Sequence, residues 1–214
     1  AVTPNGKLLV ASLKQGGSVQ VFDLGTGARS LGDAYGTPLK ANLFISHYHY
    51  DHLQGIPFFT PLFDPRSEFV IHGPARNGRS AKDVISGQMQ QPYFPVTAEM
   101  VFRANLKYRD VAEGDVLQLG GAKVTALEVN HPGGNLAYRI DFNGKSVVYA
   151  TDAEHGTERD ARLEAFSRGA DVFILFVESY GAASWERPEF QPVLAPAREQ
   201  LTAAIRETGR DVVS

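Results

Sequence analysis

The sequence predicts an α/β (α+β) fold in which two β-sheets pack face to face and helices cover their outer surfaces. Short strand patterns dominate both halves of the 214-residue chain, and helical patterns lie between or after them. No linker or low-complexity run divides the chain, and a chain of this length can bury a substantial core. We therefore expect one four-layer αββα sandwich domain over residues 1–214.

The elements follow from apolar periodicity and turn residues. Two short β patterns open the chain at residues 7–13 and 18–23, and the Gln-Gly-Gly run between them predicts a hairpin. Further strands are predicted at residues 42–46, 69–72, 116–119, 123–129, 136–142, 146–150 and 172–177. Helices are predicted at residues 81–90, 159–167 and 193–207. The segment 91–101, rich in proline and aromatic residues, predicts an ordered loop near a pocket.

The amino-acid composition limits which metal ligands and which partners the protein can have. The chain has no cysteine, so any metal ion must be held by nitrogen and oxygen atoms. A formal net charge of −3 gives no basic footprint for nucleic acid. No run approaches the roughly 20 apolar residues of a membrane span, and the amino end lacks the pattern of a signal peptide. We expect a cytoplasmic protein without a membrane partner, although a mature secreted form would have the same sequence.

The densest group of metal-ligating residue types is the run Ser-His-Tyr-His-Tyr-Asp-His at positions 46–52. If a buried strand precedes it, His47 and His49 lie two apart on the extended segment, and both rings point to one side. Asp51 and His52 follow where the chain turns. One strand end can therefore offer two imidazoles to one cation, and a carboxylate with an imidazole to a second cation nearby. A cluster of surface histidines is the alternative.

At these residues the chain resembles a known family. His-x-His-x-Asp-His, placed after an apolar strand and before a glycine, is similar to the signature of the metallo-β-lactamase superfamily of binuclear metallohydrolases. Three more motifs occur in the family's order: Asp-Leu-Gly-Thr-Gly at 23–27, His-Pro-Gly-Gly at 131–134 and Tyr-Ala-Thr-Asp at 149–152. The resemblance covers about residues 21–171 and implies an αββα sandwich of the metallo-β-lactamase type. The hairpin at 1–27 and the segment 178–214 depart from the family pattern.

The resemblance also implies a ligand set for two divalent ions. The predicted metal ligands are His47, His49 and His131 for the first ion, and Asp51, His52 and a bridging Asp152 for the second. Taken alone, a strand-end histidine is also compatible with a structural role, and the last of these aspartates with a helix cap. Zinc is the expected metal, with manganese and iron as alternatives. A hydroxide held between the two ions would be the nucleophile, which Asp51 could orient as a catalytic residue.

Two departures bear on the second ion. The family supplies a further histidine after the last helix, whereas no histidine follows His155 in this chain. Phosphodiesterase branches carry Gly-His-Ser-Thr, and the nearest match here has Ala182 in place of the histidine. His155 could partly substitute and is the second predicted catalytic residue; a position at the rim of the site is the alternative. We expect a complete first metal site and a weaker second one.

The branch of the family indicates the substrate. The motifs at 131–139 and 149–155 resemble bacterial phosphodiesterase and RNase Z-like relatives, which predicts metal-dependent hydrolysis of a phosphodiester by a metal-bound hydroxide. Hydrolysis of a β-lactam or a lactone on the same site is one alternative. A catalytically weak metal-binding or scaffold protein is another. The expected partner is a small-molecule or phosphodiester substrate, and family members often dimerise, which leaves a homodimer open.

Overall fold

The protein is described by a computed structural model covering residues 9–12, 19–154, 159–176, 188–207 and 209. It divides into two compact units, Ala1–Phe176 and Val177–Ser214. The expectation of one domain over the whole chain stays a prediction. The larger unit contains ten strands: β1 (Leu9–Ser12), β2 (Val19–Phe22), β3 (Lys40–Phe44), β4 (Glu68–Gly73), β5 (Asn105–Asp110), β6 (Val116–Leu119), β7 (Ala122–Val129), β8 (Asn135–Phe142), β9 (Lys145–Thr151) and β10 (Val172–Phe176).

Six α-helices accompany the strands in the described parts of the chain. They are α1 (Gly27–Tyr35), α2 (Tyr50–Leu53), α3 (Ala81–Gly87), α4 (Ala98–Val101), α5 (Arg159–Ser167) and α6 (Gln191–Glu207). Short 3₁₀ turns lie at Ile56–Phe58, Thr60–Phe63 and Pro188–Phe190. The last turn and α6 belong to the smaller unit. None of the helices in these ranges combines the length and the apolar character needed to cross a membrane.

The strands form two five-stranded sheets. The first sheet has the order β1-β2-β3-β4-β5, with an antiparallel β1–β2 pair followed by parallel neighbours. The second has the order β10-β9-β8-β7-β6 and is antiparallel except for the β9–β10 pair. The predicted amino-terminal strand pair is therefore confirmed, while its turn lies outside the described residues.

Buried apolar side chains separate the layers of the larger unit. Between the sheets, Phe22 and Phe44 stack at 4.9 Å and pack against Tyr138 and Tyr149 of the second sheet. A second cluster joins the first sheet to α1 and α3, and a third joins the second sheet to α5. Because successive strand residues face opposite sides, each sheet buries both faces. The predicted αββα sandwich is confirmed.

Two of the elements that were not predicted have a clear physical reason. The strand β5 (Asn105–Asp110) lies at an edge of its sheet and is largely exposed, so it has no apolar run. The helix α1 (Gly27–Tyr35) buries little more than Ala28 and Leu31 and contains two glycines, which have weak helix propensity. The predicted loop at 91–101 ends in the short helix α4.

Candidate metal centre

The predicted ligands leave the carboxyl ends of strands in both sheets. β2 and β3 are parallel neighbours, so Asp23 and His47 follow strands that end at one edge of the first sheet. β7 and β9 are both antiparallel to β8 and therefore run in the same direction, so His131 and Asp152 leave one edge of the second. The topology thus brings together residues that are about a hundred positions apart.

Hydrogen bonds between the two sheets fix this edge. The hydroxyl of Tyr138 donates to the carbonyl of Ile45 at 2.8 Å in the buried interior. The backbone N–H of Leu136 donates to the carbonyl of Ser46 at 3.0 Å. The segment that carries the histidine run is therefore held against the second sheet where it leaves the first.

The first cluster consists of His47, His49 and His131. One ligand nitrogen from each ring lies within 4.8 Å of the other two. Nε2 of His131 is 3.0 Å from Nδ1 of His49, and the ring centroids of His47 and His131 are 4.6 Å apart. The side chains of His47 and His131 are buried, whereas His49 is exposed, so the cluster reaches the surface on the side of His49.

The second cluster consists of His47, His52 and Asp152, all buried, with one ligand atom of each within 4.8 Å of the others. Oδ2 of Asp152 lies 2.6 Å from Nε2 of His52 and 3.7 Å from Nε2 of His47. Asp152 has a φ of 49°, in the left-handed region that non-glycine residues seldom adopt. Such strain persists only where the surrounding structure enforces it, and it concentrates at functional sites.

Asp23 holds the second cluster in place through hydrogen bonds and a contact with His52. Its carboxylate accepts hydrogen bonds from the backbone N–H of Ser46 (2.8 Å), the hydroxyl of Ser46 (2.7 Å) and the hydroxyl of Tyr149 (2.8 Å). Nδ1 of His52 lies 2.8 Å from the same carboxylate. A carboxylate on the far nitrogen of a ligating histidine fixes the tautomer and the ring orientation. Asp23 also has a positive φ, 57°.

The donor set fits a divalent metal ion. Burial, together with the neighbouring His52, lowers the pKa of His47 to about 3 and keeps its ring neutral. Within the described residues, Nε2 of His47 is buried and makes no hydrogen bond. Neutral imidazole and carboxylate are the ligands that zinc-like and manganese-like ions take. A metal ion would satisfy a nitrogen that is otherwise costly to bury.

The turn after β7 places His131. Gly134 has a φ of 83°, and its N–H donates to the carbonyl of His131 at 2.9 Å. A Cβ atom at Gly134 would lie 2.7 Å from the guanidinium of Arg76. That guanidinium is 3.6 Å from the carboxylate of Glu128 on β7. The positive φ therefore favours glycine at this position, and any side chain there would also displace the guanidinium of Arg76.

The sequence itself gives the family. A model of the beta-lactamase superfamily domain matches residues 34–213 of the chain. The chain belongs to this superfamily. Among curated members, ribonuclease Z of Haloarcula marismortui is 28% identical over 164 residues, which cover 73% of this chain and 50% of that protein. Ribonuclease BN of Salmonella paratyphi C is 30% identical over 129 residues, which cover 57% and 38%. The chain thus spans half of the first relative's length and less of the second's.

Solved structures of the superfamily show the same fold. The metallo-beta-lactamase fold protein YhfI from Bacillus subtilis matches with a TM-score of 0.54 and 22% identity, over 80% of this chain and 64% of that chain. Zn²⁺-bound PqqB from Methylobacterium extorquens matches with a TM-score of 0.54 and 17% identity, over 79% and 59%. A diphosphatase from the PhnP family matches with a TM-score of 0.55 and 20% identity, over 77% and 57%. The predicted superfamily and its αββα architecture are confirmed.

Asp51, also a predicted metal ligand, lies beside the two clusters rather than within them. The side chain of Asp51 is 45% exposed, and its Oδ2 lies 3.4 Å from Nε2 of His52, next to the second cluster. His155, and the segment around Ala182, lie outside the described residues. The other buried histidine, His72, stacks on Phe44 at 4.5 Å between the sheets.

The sequence did not reveal the part played by Asp23, Ser46 and Tyr149. The superfamily motif at 23–27 pointed to this segment, yet the role of its aspartate depends on contacts 23, 29 and 126 positions away. The available sequence signal for Asp23 was its position directly after an apolar strand, because carboxylates at strand ends often support a metal or catalytic site.

Proposed function

We propose that this protein is a metal-dependent hydrolase of phosphodiesters. The observation that carries the proposal is that two ligand clusters meet at one side chain, His47, which belongs to both. Such an arrangement suits a pair of neighbouring cations, which is a recurring design for hydrolysis of phosphate esters. The named relatives, ribonuclease Z and ribonuclease BN, favour a phosphodiester over a carbonyl substrate.

Each cluster would hold one divalent ion. The ligands of the first ion would be His47, His49 and His131. The ligands of the second ion would be Asp51, His52 and Asp152. When bound, the two ions would activate water and neutralise charge on the phosphoryl oxygens. The first site has the fuller set of imidazole ligands, so we expect it to bind more tightly than the second.

The remaining side chains would orient these ligands and handle protons. Asp23 holds His52 in place, and the hydroxyl of Ser46 lies 3.1 Å from Nδ1 of His47. Asp51 is exposed enough to meet a water molecule and would accept a proton from it. The catalytic role predicted for His155, a homodimer and the lack of a nucleic-acid footprint stay predictions.

Hydrolysis of bis(p-nitrophenyl) phosphate by purified protein, with and without added Zn²⁺ or Mn²⁺, tests the proposal. We expect p-nitrophenol release that EDTA abolishes, that metal restores, and that His49→Ala removes. His49 is exposed, so this variant should fold. Nitrocefin and a homoserine lactone are assayed in parallel. Turnover of either one without cleavage of the phosphodiester would overturn the substrate class.

A further inference from the structure

A cavity of about 470 Å³ lies beside α2 and is separate in lining from the two ligand clusters. Its volume is within the range of small-molecule sites. Its walls combine aromatic rings, side-chain amides and a guanidinium, from Tyr50, Phe58, Phe94, Gln54, Gln88 and Arg29. A lining of this composition suits a ligand that is planar at one end and anionic at the other.

Two of the aromatic side chains that line the cavity are largely exposed to solvent. Tyr50 and Phe58 are 67% and 57% exposed, so their rings are available to a ligand rather than committed to the core. Exposed aromatic rings next to a nucleic-acid backbone stack with bases, and the stacking tolerates any base because every base has a π-face. Both rings line the same cavity, so they can contact the same planar group.

The polar side of the cavity offers hydrogen-bond donors and a cationic side chain. The side-chain Nε2 of Gln88 is buried and makes no hydrogen bond to any described residue. Arg29 lies in the first turn of α1 and has no ion-pair partner in the described part of the chain. Thr26, the residue that precedes α1, also lines the cavity. A helix N-terminus with a guanidinium beside it attracts phosphate groups.

The cavity is tied to the candidate metal centre through α2. Tyr50 lies between His49 and Asp51 in the chain. The backbone N–H of Gly55, another lining residue, donates to the carbonyl of Leu24 at 2.8 Å. The cavity wall at Tyr50 is therefore contiguous along the chain with His49 and Asp51, two of the predicted ligands.

We infer that this cavity binds the nucleobase of the nucleotide that flanks the scissile phosphodiester, with Arg29 and the N-terminus of α1 contacting the next phosphate. The inference rests on the proposed function and narrows its substrate class to nucleotides. Tyr50 and Phe58 supply the stacking surface, and Gln88 supplies a hydrogen bond to the edge of the base. One nucleotide fits this description, so an extended basic surface is not required.

The first test is binding to metal-free protein, which does not depend on turnover. A dye-labelled tetraribonucleotide is titrated with protein in EDTA, and fluorescence anisotropy gives the dissociation constant. We expect Phe58→Ala and Arg29→Gln each to weaken binding about tenfold, the scale of one lost stacking or charged contact. The matched control is Tyr93→Ala, which removes an 86% exposed aromatic ring outside the cavity lining. An unchanged constant in the first two variants, or an equal loss in Tyr93→Ala, would overturn the inference.

Competition identifies the group that is recognised. Adenosine 5′-monophosphate should displace the labelled probe at concentrations at which ribose 5-phosphate does not, because only the former carries a base. Equal displacement by both compounds would mean that the cavity reads phosphate alone, and the inference would be wrong.

A kinetic comparison separates this inference from the proposed function. Thymidine 5′-(p-nitrophenyl phosphate) and methyl p-nitrophenyl phosphate share a leaving group but differ in the base. We expect a higher kcat/KM for the thymidine ester in the wild type, and loss of that preference in Phe58→Ala with methyl ester cleavage retained. Cleavage of both esters without any preference would refute the base site alone. Cleavage of neither ester would refute the phosphodiesterase proposal.

Discussion

Oδ2 of Asp23 lies 2.8 Å from Nδ1 of His52, and Nε2 of the same ring lies 2.6 Å from Oδ2 of Asp152. This buried carboxylate–imidazole–carboxylate chain joins the end of β2 to the end of β9. With a metal ion bound in the second cluster, the Nδ1–H of His52 would donate to Asp23 and leave Nε2 free to ligate the ion. The orientation of one candidate ligand, His52, is therefore supported by Asp23, which does not itself belong to either cluster.

Asp23→Asn should weaken metal binding while the fold is retained. The amide is close in size to the carboxylate, yet it accepts less strongly and places a donor group among Ser46, His52 and Tyr149. Loss of such a supporting partner typically lowers metal affinity by about 10–100-fold. Competition with a coloured zinc chelator measures the change. Tyr149→Phe removes one of the donors to Asp23 and should have a smaller effect, so equal effects of the two variants would contradict the assignment.

His49→Ala and His72→Gln form a matched pair for metal content. The first removes an exposed member of the first cluster, whereas the second removes a buried histidine that hydrogen-bonds Asn42 at 3.1 Å and lies in neither cluster. Elemental analysis after gel filtration should show loss of bound metal in His49→Ala and wild-type content in His72→Gln. Equal content in all three proteins would show that the histidine run does not hold the ion.

The sequence indicated the site better than the contacts that support it. The histidine run pointed to a metal site because residue type is a local property, whereas His131 and Asp152 were predicted as ligands from the family resemblance of their motifs. The partners of Asp23 were not predictable, since strand order and sheet packing place Tyr149 126 positions away within hydrogen-bonding distance. The edge strand β5 was missed for a related reason, as an exposed strand leaves little apolar pattern.

Stability should decrease in acid through His72. Burial, with a smaller effect of Arg109, lowers the pKa of His72 from 6.5 to about 4. Between these values the unfolded chain binds a proton that the folded chain does not, so the free energy of unfolding falls as the pH drops from about 6.5 to about 4. The contribution of this group is about 3 kcal/mol. Urea unfolding of metal-free protein at both ends of this range should show a smaller decrease for His72→Gln than for wild type. An identical decrease would contradict the burial of a neutral ring.

Gly55→Ala should destabilise the packing of the turn after α2 against the residues that precede and begin α1. A Cβ atom at Gly55 would overlap the carbonyl oxygen of Gly25, so the backbone has to move. Overpacking of this kind costs about 1–3 kcal/mol or more. Gly144→Ala is the comparison, because it combines a φ of 70° with open space and carries only the backbone penalty of about 1–2 kcal/mol. Thermal unfolding should give a lower melting temperature for Gly55→Ala than for Gly144→Ala. The reverse order would argue against the close contact at Gly55.

The convergence of distant histidines on a common ion is tested most directly by anomalous diffraction from zinc-soaked crystals, recorded on both sides of the zinc absorption edge. We expect a strong peak bounded by His47, His49 and His131, and a weaker peak between His52 and Asp152. Two peaks of equal strength would contradict the unequal sites, and the absence of any peak among the three histidines would contradict the metal centre itself.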